Sequence, residues 1–170
     1  MTINFKKVDH QNKDEIKKIY TDLFPLDEMF PYDLLIEISN DTDHLFFALY
    51  EDEALIGMNY LILEKDLLYV LYLAIGKNNQ SKGYGKSVIQ EILRKYPQKR
   101  IFLNIEEVDS KYENYNQRAK RKSFYQSLGF VSQNYLYVSG KGVSFETMAV
   151  NGSVSREEVG ELFDYFKTLD

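Results

Sequence analysis

The sequence has no cysteine, no tryptophan and only three prolines among its 170 residues. The absence of cysteine excludes disulfides, thiolate nucleophiles and cysteine-bound zinc sites. No stretch approaches the ~20 consecutive apolar residues of a membrane-spanning helix, and the opening residues MTINFKKVDH lack the apolar run of a signal peptide. We therefore predict a soluble, cytoplasmic protein with no membrane partner.

An excess of positive charge is missing as well. The chain has 21 Lys and Arg against 26 Asp and Glu, which gives a net charge of -5. A protein that binds nucleic acid irrespective of base sequence needs a basic excess, so no nucleic-acid partner is predicted. The two histidines, His10 and His44, have no metal-like or triad-like neighbours, and no metal site is predicted.

Tyrosine and phenylalanine, in contrast, are abundant, with 14 and 11 residues. Aromatic side chains bury a large apolar area and most often pack in a core. We favour this role for them here. A dedicated aromatic binding cavity is the alternative.

The apolar patterns indicate an α/β chain with mixed elements, and its length favours one domain over residues 1–170. The nearly continuous apolar run from Leu67 to Ile75 is typical of a central strand that is covered on both faces. A helix, a strand and a second helix follow, and this succession places part of the sheet in parallel pairing. Ser155 and Glu158 have the spacing of a capping box, which predicts a C-terminal helix over residues 155–169.

The turn QSKGYGK, residues 80–86, joins the apolar run to the next helix. The first N–H groups of a helix have no partner inside it and lie at the positive end of the helix dipole. Glycine lets the backbone approach an anion closely. The turn therefore predicts a phosphate or pyrophosphate site, with a tight turn that binds nothing as the alternative. It fits neither a Rossmann fingerprint, which needs glycine at Val88, nor a P-loop, which needs glycine at Gln80.

A second stretch, Tyr125 followed by Gly129 and Phe130, makes the pattern more specific. Gln80-Ser-Lys-Gly83-Tyr-Gly85 resembles the acetyl-CoA motif of the GNAT superfamily of N-acetyltransferases, and Tyr-x-x-x-Gly-Phe resembles its next motif. The resemblance implies a single GNAT-like domain. Its central sheet would be mixed but mostly antiparallel, with a splayed parallel strand pair, and would be flanked by helices.

By this resemblance, acetyl-CoA is the cosubstrate, and backbone groups provide most of its recognition. The implied pantetheine contacts are Leu73, Ala74 and Ile75. A backbone N–H near Ala74 would also stabilise the oxyanion of a tetrahedral intermediate. The implied pyrophosphate contacts are the turn residues Gln80, Ser81, Lys82, Gly83, Tyr84, Gly85 and Lys86.

The reaction implied is direct attack of a primary amine on the thioester. Such an amine has an ordinary pKa of ~10.4, so a base is useful near neutral pH. We select Glu106, with Glu107 or a water molecule as alternatives. Tyr125 matches the family position of the general acid that protonates the leaving thiolate.

The acceptor is predicted to be an amine of a small molecule or peptide, and the acidic residues Asp109 and Glu113 favour a cationic one. The basic run Lys120-Arg121-Lys122 is most simply a solvated helix face. A homodimer through the C-terminal strands and final helix is possible. The alternative to an enzyme is a CoA-binding or interaction module without catalysis.

Overall fold

The computed structural model describes residues 1–167, and these residues divide into two compact units. The first contains residues 1–63 and 69–97, and the second contains residues 64–68 and the chain from residue 98 onwards. None of the helices in the described part of the chain has both the length and the apolar character needed to cross a membrane. The single domain that we predict over residues 1–170 stays a prediction.

The first unit is built on antiparallel strands. Phe5 of the first strand lies opposite Leu49 of the second, and Phe47 of the second lies opposite Asn59 of the third. The predicted apolar run forms the fourth strand, and residues 69–75 of it belong to this unit. The strands are β1 (Asn4–Lys7), β2 (His44–Glu51), β3 (Ala54–Glu64) and β4 (Leu67–Ile75).

Three helices complete the first unit, and its core is strongly aromatic. Tyr20, Phe46 and Tyr60 are fully buried, and the ring of Tyr20 packs edge-on against that of Tyr72. These tyrosines and phenylalanines therefore form the core that the composition predicted. The helices are α1 (Lys13–Leu23), α2 (Tyr32–Ile38) and α3 (Tyr84–Lys95).

The second unit joins an antiparallel sheet to two helices. Arg100, the first residue of this unit's antiparallel sheet, binds Asp66 and Glu158 through its guanidinium group. These contacts tie the start of its strand to the last helix. Ser155 and Glu158 form the predicted capping box, because each side chain accepts the backbone N–H of the other at 3.1 Å. The elements are β5 (Arg100–Glu106), α4 (Tyr115–Ser127), β6 (Val131–Val138), β7 (Ser144–Val150) and α5 (Arg156–Lys167). Residues 168–169 of the helix predicted over 155–169 lie outside the described residues.

The strands follow the order β1-β2-β3-β4-β5-β7-β6. The described sheet is mostly antiparallel with one parallel pair, so the predicted mixed α/β fold class is confirmed. One detail of the prediction is wrong. β4 is fully covered only over Leu67–Val70, whereas Leu71, Leu73 and Ile75 are half-buried. Alternate side chains in its second half are therefore accessible.

Candidate active site

The turn before α3 depends on the backbone of Gly83. This residue is the N-cap of the helix and has a φ of +85°, in the left-handed region that favours glycine. A Cβ at this position would meet no heavy atom within 4 Å. Gly83 is therefore needed for the conformation of the chain, and the space beside it is open.

The first turn of α3 offers backbone donors to solvent. The first bond of the helix runs from the Ser87 N–H to the Gly83 carbonyl oxygen, at 3.2 Å. The N–H groups of the three residues between them precede that bond and have no acceptor inside the helix. No side chain within residues 1–167 caps this end, and the first helical turn contains no acidic residue. A positive helix end with open space beside it suits an anion.

Two side chains of the motif hold the turn in place. The Gln80 Nε2 donates to the Ile75 carbonyl oxygen at 3.0 Å, and this bond ties the turn to the end of β4. The buried Tyr84 donates its hydroxyl to Glu51 Oε1 at 3.0 Å, and this hydrogen bond raises the pKa of Tyr84 above its ordinary value. The side chains of Ser81 and Lys82 are exposed. The motif is therefore anchored by side chains and leaves its backbone accessible.

The second unit places Glu106 at the last residue of β5, where two guanidinium groups hold its carboxylate. Arg118 Nη2 lies 2.9 Å from Oε2, and Arg121 Nη1 lies 3.1 Å from Oε1. Arg118 is almost covered, with 13% of its side chain exposed. The predicted base is thus fixed in position, and each of its oxygens already accepts a charged donor.

Glu107, the alternative base, has a different environment. The hydroxyl of Tyr112 donates to its Oε2 at 2.8 Å, and the Arg118 guanidinium lies 3.8 Å from the centre of the Tyr112 ring. The Arg118 Nη1 also donates to the Glu107 backbone carbonyl oxygen. Tyr112 therefore packs with Arg118 and Glu107. Of the two acidic residues proposed for acceptor binding, Glu113 is exposed and Asp109 is half-buried.

The expectation that Lys120-Arg121-Lys122 is a solvated face holds for Lys120 and Arg121, which are exposed, and is wrong for the half-buried Lys122. Arg121 binds Glu106, and Lys122 Nζ donates to Glu146 Oε1 at 2.7 Å. Glu146 is buried on β7 and also accepts the Val108 N–H. Sequence reasoning missed this role of α4 and missed Arg118. The available signal was spacing, because Arg118, Arg121 and Lys122 lie three and four residues apart on one helix face.

Tyr125 is half-buried on α4, with the rings of Phe124 and Phe130 at 5.0 and 5.7 Å. Burial raises the pKa of Tyr125 above its ordinary value near 10, and the charge of Arg121 partly offsets this. Within the described residues, no hydrogen bond involves its hydroxyl. The phenol is therefore protonated at neutral pH and has a proton to donate.

The predicted site residues are divided between the two units. Leu73 to Ile75 and Gln80 to Lys86 belong to the first unit, whereas Glu106 and Tyr125 belong to the second. The first set provides an accessible strand end and a turn whose first helical N–H groups have no acceptor inside the helix. The second provides a fixed carboxylate and a protonated phenol.

Residues 42–132 match the family described as "Acetyltransferase (GNAT) domain". The match covers more than half of the chain, and the chain therefore belongs to the GNAT family of acetyltransferases. Membership confirms the predicted enzyme class and acetyl-CoA as its cosubstrate. No curated protein sequence is significantly similar to the chain.

Solved structures share the fold at low sequence identity. A putative GNAT acetyltransferase from Bacteroides thetaiotaomicron is 19% identical, with a TM-score of 0.76 over 97% of this chain and 94% of that one. The ribosomal-protein-S18-alanine N-acetyltransferase of Escherichia coli is 13% identical, with a TM-score of 0.66 over 91% and 96%. The spermidine/spermine N-acetyltransferase of Vibrio cholerae is 18% identical, with a TM-score of 0.62 over 88% and 94%.

Proposed function

We propose that this acetyltransferase transfers the acetyl group of acetyl-CoA directly to a primary amine of a small molecule or peptide. The observation that carries the proposal is the first turn of α3. Gly83 begins it, and this helix end has no side-chain cap among the described residues and no acidic residue in its first turn. A helix end of this kind accepts a phosphate group through its N–H groups. The cytoplasmic location inferred from the sequence stays part of the proposal.

Acetyl-CoA is held mainly by backbone in this scheme. The N–H groups of Gln80 to Lys86 bind the pyrophosphate, and the exposed Lys82 and Lys86 add positive charge. The backbone of Leu73 to Ile75 binds the pantetheine arm. Leu73 and Ile75 are half-buried, which supports this assignment, because a wholly covered strand offers no surface to a ligand.

The chemical step follows from the nature of the two reactants. The neutral amine attacks the thioester carbonyl carbon, a C–N bond forms, and the C–S bond breaks as the tetrahedral intermediate collapses. The amine proton passes to Glu106, directly or through water, and the Tyr125 hydroxyl gives its proton to the departing thiolate. A thiol has an ordinary pKa near 8.5, below the raised pKa of the Tyr125 phenol, so the phenol keeps its proton until the thiolate departs.

The acceptor is proposed to be cationic. Asp109 and Glu113 lie in the loop after β5 and supply negative charge. The similar structures include enzymes named for a protein alanine and for spermidine and spermine, so amines of both sizes occur among proteins of this fold. Fold alone does not choose between them, because specificity lies in individual side chains.

A second copy of the chain is the further partner in this proposal. β6 stands at the end of the strand order and exposes three large apolar side chains, Val131, Leu136 and Val138. An edge strand with exposed apolar residues favours pairing with another chain. Sedimentation velocity of the wild type and of Leu136→Lys tests this: a wild-type monomer at all concentrations rejects the homodimer.

The decisive experiment is calorimetric titration with acetyl-CoA, CoA and inorganic pyrophosphate at matched salt. We expect one site per chain and tighter binding of CoA than of pyrophosphate, because the strand contacts add to those of the turn. Release of free thiol is then measured with a panel of amines that includes spermidine, an aminoglycoside and a peptide with a free N-terminus. Failure of the folded protein to bind CoA rejects the site assignment, and CoA binding without acetyl transfer to any amine class rejects the proposed reaction.

A further inference from the structure

β3 packs against the second half of β4 with no room for a side chain at Gly57. A Cβ at this position would collide with the carbonyl oxygen of Ala74, and would lie 3.2 Å from both the Ala74 carbonyl carbon and Ile75 Cα. The Gly76 N–H donates to the Ile56 carbonyl oxygen at 2.9 Å, just beyond the strand end. The backbone of residues 74–76 is therefore held closely from the β3 side.

Two residues further along β3, Asn59 makes a polar contact with β4. It is fully buried, and its Nδ2 donates to the Tyr72 carbonyl oxygen at 2.9 Å. Its Oδ1 has no hydrogen-bond partner among the described residues. In the otherwise apolar run from Leu55 to Leu63, the only other side chain with a polar group is that of its neighbour Tyr60.

A fully buried amide with one unsatisfied oxygen costs folding free energy that an apolar side chain of the same size avoids. Native proteins accept such local costs most often at functional sites. Among the described residues, the one hydrogen bond of the Asn59 side chain fixes the Tyr72 carbonyl group, immediately before Leu73. The residue that carries this folding cost therefore also holds the strand segment that the proposed function assigns to acetyl-CoA.

We propose that Asn59 and Gly57 are positioning residues for acetyl-CoA. They fix the backbone carbonyls of Tyr72 and Ala74 and so set the geometry in which Leu73 to Ile75 meet the pantetheine arm. The inference rests on the proposed function and extends it to two residues of β3 that do not themselves contact the cosubstrate.

Asn59→Leu provides the main test, because it keeps the size of the side chain and removes both the hydrogen bond and the unsatisfied oxygen. We expect the melting temperature to stay within a few degrees of the wild type. We expect CoA to bind about tenfold more weakly, the free energy of about one hydrogen bond. Thr147→Val is the matched control: Thr147 is equally buried on β7 and bonds Asn104 in the second unit. It should lower the melting temperature and leave the CoA affinity of the folded protein unchanged.

The glycine pair Gly57 and Gly76 gives a second test that does not depend on Asn59. Gly57→Ala must push the Ala74 carbonyl away, whereas a Cβ at Gly76 meets the Ile56 carbonyl oxygen at an ordinary 3.6 Å. We expect weaker CoA binding in Gly57→Ala and near-normal binding in Gly76→Ala, measured on protein shown to be folded by circular dichroism.

The outcomes separate this inference from the proposed function. If the wild type fails to bind CoA, the proposed function is wrong and the inference falls with it. If the wild type binds CoA, and both Asn59→Leu and Gly57→Ala bind it equally well while folded, only the positioning role is overturned. A fall in melting temperature without a change in affinity has the same meaning, because it shows a purely structural role.

Discussion

Arg118 Nη2 lies 2.9 Å from Glu106 Oε2, and the ring of Tyr112 covers the same guanidinium group. A charge-assisted pair of this length restricts the carboxylate to one orientation. Arg121 holds the second oxygen from a more exposed position. A proton taken by Glu106 must therefore displace or share one of these donors, and Arg121 is the one that can move into solvent.

Glu106→Gln should reduce turnover by about 10²-fold or more if the carboxylate acts as general base. The amide keeps the shape of the side chain but cannot accept the amine proton. The affinity for CoA should change little, because the substitution leaves the α3 turn and β4 intact. Steady-state kinetics with an amine found by the thiol screen, together with calorimetry, give both quantities.

Glu107→Gln is the matched control for Glu106→Gln, since it removes the neighbouring carboxylate charge and keeps an oxygen that can accept the Tyr112 hydroxyl. A normal rate in Glu106→Gln with a large loss in Glu107→Gln assigns the base to Glu107. Normal rates in both variants leave water as the acceptor of the proton.

Tyr125→Phe should slow turnover while preserving CoA affinity. Phenylalanine keeps the packing against Phe124 and Phe130 and removes the hydroxyl, which makes no hydrogen bond within the described part of the chain. Stability should therefore stay close to that of the wild type. Unchanged turnover in the variant would mean that the thiolate leaves without help from this phenol.

The elements around the α3 turn could be predicted because their signals are local. A continuous apolar run, two glycines and a helical pattern follow one another between Leu67 and Lys95, and each has a simple conformational meaning. The positive φ of Gly83 is the clearest example, because glycine has no Cβ and adopts this conformation more readily than any other residue.

The surroundings of Glu106 could not be predicted in the same way. Its partners come from α4, and which helix face meets the end of β5 is decided by packing of the whole unit. The burial of Glu146 and the unsatisfied oxygen of Asn59 likewise depend on neighbours distant in sequence. A lone asparagine in an apolar strand was the one visible hint of the latter.

Alkaline pH should lower the folding stability of the protein through the buried tyrosines of the first unit. Tyr20 donates to the Phe30 carbonyl oxygen at 2.8 Å, its hydroxyl lies 3.1 Å from that of Tyr72, and burial raises the pKa of Tyr20 to about 12. A group whose pKa is raised on folding stabilises the protein fully below its unfolded pKa, here near 10. That contribution should be lost as pH rises from about 10 to 12.

Urea unfolding at pH 8 and pH 10.5 measures this effect. Tyr20→Phe should lower the free energy of unfolding at pH 8 by about 1–2 kcal/mol, the contribution of its hydrogen bonds. The variant should then lose less stability than the wild type on going to pH 10.5. An equal loss in both proteins would place the alkaline sensitivity in other groups.

Gly83→Glu should abolish CoA binding, and the reason can be separated from backbone strain by two further variants. Any residue other than glycine at a φ of +85° costs about 1–2 kcal/mol of stability. Gly83→Ala carries that cost without a charge, so it should weaken CoA binding far less than Gly83→Glu does.

Gly142 has a φ of +81° and equally open surroundings in the β6–β7 turn. Gly142→Glu therefore adds the same strain and the same charge elsewhere, and calorimetry should find its CoA affinity unchanged. Because only the carboxylate at position 83 faces the proposed pyrophosphate, equal affinities in all three variants would remove the anion site from the α3 turn.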